Sequence, residues 1–327
     1  MPLVELHCHI EGTVLPEMAL KLARRHNIDL SSILDEDGNY LSSNFTEFVN
    51  CYDHMAQCIR TAQDYFDLTY DYYSKAAKDG LCYGEVFFSP AHPEPYGLTY
   101  EAYVDTLAAV SDKLEEDCDV IVRYILTCIR HDGVAHAEAT ARLAEKYPHP
   151  KVVGFGMAGH ETQGHPNDFK RAFQIAEGAG LHLTCHAGEL VGAESVRDAL
   201  EAFPLKRIGH GVRSHEDPAL VRELADRQIP LELCPSSNVF LGVVDSMEEH
   251  PFRDYFDAGL KVTLNTDDPA FFDTDIKREY DRAAAAHDLS LADLLTISRN
   301  GVDAAFCDEN TKQCLHRRLD TWATDCL

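Results

Sequence analysis

Four short stretches hold residue types that can do chemistry: VELHCHIEG at 4–12, HAGE at 186–189, GHG at 209–211 and TDD at 266–268. His7 and His9 sit one residue apart in an apolar run. On a strand both imidazoles face the same side, because side chains alternate with a period of two. Such a pair alone is better read as an ordinary polar strand face. With His186 and Asp267 it becomes three imidazoles and one carboxylate, a set that holds a divalent ion and leaves room for water. The donor types favour zinc, one ion per chain, though iron, cobalt or manganese use similar ligands. A bound ion of this kind lowers the pKa of water to about 7. Glu189, three residues past a ligand, is placed to protonate a substrate nitrogen, which requires a desolvated carboxyl that keeps its proton near neutral pH. His210 can take the proton of the water, and Asp268 can hydrogen-bond the substrate. The implied reaction class is metal-assisted hydrolysis. A second metal is not expected, because the stretch VVGFGM at 152–157 offers no Lys, Glu or Cys to bridge two ions.

Residues so far apart in the chain need a frame that gathers them. Short apolar runs at 3–9, 81–88, 120–127, 152–157, 181–187, 207–211, 230–234 and 261–266 read as buried strands. Helical periodicity separates most of them, as at 138–146, 168–178, 194–203, 217–227 and 252–258. Eight such β/α units predict an α/β protein of the (β/α)8 TIM-barrel class, with chemistry at the C-terminal ends of the strands. Those ends supply His7 and His9, Glu85, Gly159, His186 with Glu189, His210, and Asp267 with Asp268. An open doubly wound sheet is the weaker alternative, since neither G-x-G-x-x-G nor a P-loop is present. We expect one metal-dependent hydrolase domain over 1–327, with a helical, lid-like insertion after the first strand at about 10–80. Its aromatics Phe45, Phe48 and Tyr52 can line a pocket, although helical spacing favours ordinary core packing.

The formal net charge of −26 argues against a nucleic-acid partner, since phosphates are repelled. No apolar run is long enough to span a bilayer, so no membrane partner is expected. Residues 1–20 lack the pattern of a signal peptide, and the odd, scattered set of eleven cysteines fits a reducing cytoplasm rather than a disulfide framework. The remaining partner is a small-molecule substrate. Oligomeric state is not readable from the residues.

ELHCHIEG, FGMAGHE, TCHAGE, RIGHGVR, CPSSN and LNTDDP, in that order over residues 5–269, resemble the adenosine deaminase family of the amidohydrolase superfamily. The resemblance implies a (β/α)8 barrel and hydrolytic deamination of a 6-aminopurine. By motif it makes His7, His9, His186 and Asp267 the zinc ligands, and Glu189 the donor to purine N1. His210 becomes the residue that positions and deprotonates water, Asp268 the partner of N7, and Gly159 the backbone N–H that meets N3. Glu11 stands where many adenosine deaminases carry an aspartate that contacts the ribose 5′-hydroxyl, and the longer side chain resembles adenine deaminases. The AGHE motif and NTDDPAFFDTD resemble the nucleoside branch instead. The expected substrate is therefore adenosine or 2′-deoxyadenosine, with adenine or another modified 6-aminopurine as the alternative. Two further readings fail on the residues. A catalytically dead barrel would be expected to lack Glu189, His210 or Asp267, and a cytidine-type deaminase pairs H-x-E with a P-C-x-x-C that is absent here.

Overall fold

The computed structural model describes residues 1–42 and 44–326. Its strands are β1 (Leu3–Glu5), β2 (Leu81–Phe88), β3 (Ile121–Ile129), β4 (Val152–Ala158), β5 (His182–Leu183), β6 (His186–Ala187), β7 (Ile208–His210), β8 (Leu231–Leu233) and β9 (Val262–Leu264). All pair in parallel, β1 to β5 in one sheet and β6 to β9 in a second, each in chain order. Parallel strands are covered on both faces and read as apolar runs; every residue of β2 is buried.

The run at 181–187 resolves into β5, paired with β4, and β6, paired with β7. Hydrogen bonding does not lapse across the break. Thr184 N–H still donates to Phe155 O at 3.1 Å, and Cys185 O accepts from Gly209 N–H at 2.9 Å. The strand hands its bonds from one neighbour to the other. The second junction lies between the continuation of β1 and the end of β9. There His9 N–H donates to Asp267 O (2.8 Å) and Asp267 N–H donates to His7 O (3.0 Å). Leu6 N–H turns to the side chain of Asn265 at 2.8 Å. These two junctions close the (β/α)8 barrel.

Between β1 and β2 run α1 (Pro16–His26), α2 (Phe45–Ala56) and α3 (Ala62–Lys78). The others follow their strands: α4 (Tyr100–Cys118), α5 (Val134–Lys146), α6 (Lys170–Gly178), α7 (Ala193–Ala202), α8 (Pro218–Arg227), α9 (Pro235–Phe240) and α10 (Phe252–Asp257). After β9 come α11 (Ile276–His287), α12 (Leu291–Ala304) and α13 (Glu309–Cys326). Local chemistry explains the boundaries. Thr61 and Asp64 form a capping box at the start of α3. Asp217 caps α8, which opens on Pro218 and stops at the left-handed Gln228. Asp64 also takes the Arg25 guanidinium and His26 of α1, the latter at 2.9 Å, and so ties the first and third helices together. Among the described residues, no helix is long and apolar enough to cross a membrane.

Candidate active site

The C-terminal ends of the strands open into a cavity of about 230 Å3. His9, Glu11, Gly159, His186, Glu189, His210, Asp267 and Asp268 all line it. His7 lies directly beneath, fully buried, with its ring centroid 4.4 Å from that of His186 and 4.7 Å from that of His210. Of the strand-end residues singled out from the sequence, all but Glu85 are thus gathered at one end of the barrel.

The donor atoms converge. His9 Nε2 faces His186 Nε2 at 3.1 Å and Asp267 Oδ1 at 3.3 Å, and His7 Nε2 lies 3.4 Å from the same oxygen. The four-residue group His7, His186, His210 and Asp267 has its ligand atoms within 4.8 Å of one another. His7 Nε2 is buried without a hydrogen-bond partner. Two imidazole nitrogens aimed at each other, beside an orphaned third and a carboxylate oxygen, suit a shared divalent cation better than any set of protons. The residues fit the metal that the donor set implies.

Two of the four donor side chains, Asp267 and His7, are held from behind. Ser237 donates to Asp267 Oδ2 at 2.7 Å, leaving Oδ1 to the cluster. His7 Nδ1 meets Glu232 Oε2 at 2.7 Å, which places a proton on that nitrogen and turns the Nε2 lone pair inward. Glu232 also accepts from Arg207 Nε (2.5 Å) and Thr184 (3.1 Å). Burial opposes its charge, but Arg207 and His7 prevail and hold it at about 2. Arg207 goes on to Glu85 at 2.7 Å, with its guanidinium 3.6 Å over the Phe306 ring. Glu85, expected at a strand end facing the site, instead sits within β2. Its carboxylate accepts from Tyr83 (2.6 Å) and from the backbone of Phe306 (2.5 Å).

The strand ends bend to aim their side chains. His210 has φ 60° and Asp267 φ 64°, a left-handed conformation that residues with a Cβ seldom adopt and that gathers at functional sites. Asp268 lies against the backbone of Gly12, where a Cβ would come within 2.0 Å of its Oδ1. Only glycine fits there, and Asp268 Oδ1 is left buried without a partner. Burial, then the adjacent Asp267, push the Asp268 carboxyl well above its ordinary range.

Glu189 sits in the most constructed loop. The Glu161 carboxylate accepts backbone N–H bonds from Gly188 (2.5 Å), Glu189 (3.1 Å), Leu190 (2.6 Å) and Val191 (2.8 Å), and a fifth bond from Ser195 (2.5 Å). Burial, followed by the charges of Asp267 and Glu161, raises the Glu189 carboxyl well above the carboxylate range. His210 Nε2 lies 3.8 Å from Glu189 Oε2, and burial holds that imidazole down at about 3. An acid that keeps its proton therefore stands beside a base that lacks one.

Residues 2–322 match the adenosine deaminase family. The chain belongs to the adenosine deaminase family. It is a metal-dependent hydrolytic deaminase of the amidohydrolase superfamily. This deaminase is 44% identical to the adenine deaminase of Mesorhizobium japonicum over 321 residues, 98% of this chain and 99% of that one. It is 45% identical to the adenine deaminase of a Chelativorans species over 315 residues, 96% and 97% of the two chains. The crystal structure of an adenine deaminase from Arthrobacter aurescens superposes with a TM-score of 0.92 at 30% identity, covering 99% of each chain.

Proposed function

We propose that this deaminase hydrolyses the 6-amino group of free adenine, giving hypoxanthine and ammonia. Likeness to adenine deaminases over nearly the full length of both chains carries the reading. It favours adenine over adenosine or 2′-deoxyadenosine, the substrates expected from the AGHE and NTDDPAFFDTD motifs. His160 of AGHE packs its ring 5.1 Å from Phe45 and bonds Thr162 at 3.1 Å, so this residue of the motif is engaged in local contacts. A cavity of about 230 Å3 lies below the ~300–1,000 Å3 of sites for drug-sized ligands and suits a bare base.

His7, His9, His186 and Asp267 hold one divalent ion, with zinc our choice from the three-imidazole set. When bound, the ion acts as a Lewis acid and lowers the pKa of water to about 7. The protein does the rest. Glu189 gives its proton to N1, which makes C6 electrophilic. His210 takes a proton from the water that adds to C6 and passes it to the amino group, the C6–N bond breaks to release ammonia, and the proton lost from the C6 hydroxyl returns to Glu189. Asp268, protonated, donates to N7, and the Gly159 N–H meets N3. Residues 1–327 act as one unit, in which α2 covers the base: Phe45, Phe48, Val49 and Tyr52 all line the cavity.

Incubating the zinc-loaded protein separately with adenine, adenosine and 2′-deoxyadenosine while following ammonia release tests the reading. Turnover of adenine with little of either nucleoside is expected, and the reverse order would overturn it.

A further inference from the structure

One buried carboxylate at the cavity wall has more partners than a passive lining residue needs. Glu11 is 1% exposed. Its Oε2 accepts from Tyr52 of α2 at 2.9 Å, and its Oε1 accepts from Tyr65 of α3 at 3.1 Å. His92, in the loop after β2, brings Nδ1 to within 3.0 Å of the same Oε1. That nitrogen is not well aligned for a hydrogen bond, so the contact is a close polar approach rather than a second full bond. Three separate elements therefore converge on one carboxylate. A carboxylate offers about four acceptor positions, and this arrangement leaves one on Oε2, on the side chain that lines the cavity.

The position of that acceptor matters. Asp268 packs on the backbone of Gly12, the residue next to Glu11, so the two carboxyls are neighbours on one wall. With Asp268 at N7, the next polar atom around the five-membered ring is N9, separated from N7 by one carbon. In a free base with N7 accepting, N9 carries a hydrogen. In a nucleoside it carries the sugar.

Resting on the adenine reading above, we propose that Glu11 accepts the N9–H of the free base, and that His92, together with Tyr52 and Tyr65, fixes it there and sets the preference for a free base over a 9-substituted purine. His92 is a positioning residue in this scheme: it touches Glu11, not the atoms that react. Without it, Oε1 keeps only the Tyr65 hydroxyl, and the carboxylate is free to rotate away from the ring edge. A site built to bind a substrate N–H rejects an analogue that lacks it far more strongly than an apolar wall does, because the buried acceptor is left unpaired.

The experiment uses the zinc-loaded full chain with adenine, 9-methyladenine and adenosine. The wild type is expected to turn over adenine and to discriminate against 9-methyladenine by about 10³-fold or more. His92→Ala should raise KM for adenine about tenfold while kcat changes by less than about threefold, because the N1 and C6 machinery is untouched. It should also narrow the adenine-to-9-methyladenine ratio. His92→Gln, which keeps a donor, should recover part of the KM, and Tyr52→Phe, which keeps the ring, should show the same KM-weighted loss if His92→Ala folds poorly. Unchanged KM and discrimination in both His92→Ala and Tyr52→Phe, or equal turnover of adenine and 9-methyladenine by the wild type, would overturn the inference while leaving adenine deamination standing. A wild type active on adenosine and inert on adenine would overturn both.

Discussion

Glu161 offers the sharpest test of how Glu189, the proposed acid, is positioned. Its carboxylate collects five donors, three on Oε2 (Glu189, Leu190, Val191) and two on Oε1 (Gly188, Ser195). In Glu161→Gln the amide oxygen serves the three backbone groups best, and the NH2 then faces Gly188 and Ser195. The serine hydroxyl can rotate and accept. The Gly188 N–H cannot, and a buried donor left unpaired costs about 1–3 kcal/mol. Three bonds that lose their charge assistance forfeit about 1 kcal/mol each. Together the change is worth roughly 4–6 kcal/mol, which at an unfolding entropy of about 2.1 cal/mol/K per residue lowers Tm by roughly 6–9 °C. The loop that shifts carries Glu189, and a misplacement of about 1 Å costs on the order of 10²-fold in rate. Calorimetry, metal analysis and ammonia release on the same preparation should show a lower Tm, a hundredfold lower kcat and an unchanged metal content. A variant within 1 °C and threefold of the wild type would refute the reasoning.

Other consequences can be measured directly. Glu189→Gln should lose about 10²–10⁴-fold in kcat while binding metal normally; near-normal turnover would remove Glu189 from the acid role. Ser237→Ala frees Asp267 Oδ2 from its 2.7 Å bond and should weaken metal affinity about 10- to 100-fold, read by competition with a chromogenic chelator. Burial raises Glu5 to about 7, only partly offset by bonds from Thr266 and Tyr72. Between pH 4.5 and 7 the folded state therefore binds more protons than the unfolded one. The stability from this group is complete below about pH 4.5 and is lost as pH rises through 7, roughly 3 kcal/mol in all. Denaturation curves should show that loss in the wild type relative to Glu5→Gln, and curves that run parallel with pH would count against it.

The residues that converge on the cavity were legible because barrel strands end at one face, so polar types at successive strand ends must meet. The strands themselves were readable as apolar runs, although the break between β5 and β6 was not. It depends on a handover of hydrogen bonds between two neighbours, which local pattern does not encode. What supports the site was mostly missed. Glu232 stands 225 residues from His7 in sequence, and Glu161 is 28 from the backbone of Glu189. Ser237, inside the CPSSN motif, bears no sequence mark of the bond by which it orients Asp267. A usable signal existed: Glu5, Glu85 and Glu232 are each a lone acid inside an apolar strand, and charged residues are rarely fully buried unless partnered. Following that signal would have led from Glu232 to Arg207. His92 carried no such mark, because it lies in a loop and meets Glu11 only through the fold.

The two junctions of the barrel bear on how the protein assembles. His7 and His9 belong to the first sheet and its continuation; His186, His210 and Asp267 belong to the second or lie at its end. A chain in which only β1 to β5 have formed owns two of the four proposed metal donors, and one in which only β6 to β9 have formed owns the other two. Neither half can grip an ion as the whole does. An ion held by this set would act as a clasp between the two sheets. Its capture would report that the last strand has found the first, and its presence would strengthen the seam where His7 and His9 exchange backbone hydrogen bonds with Asp267.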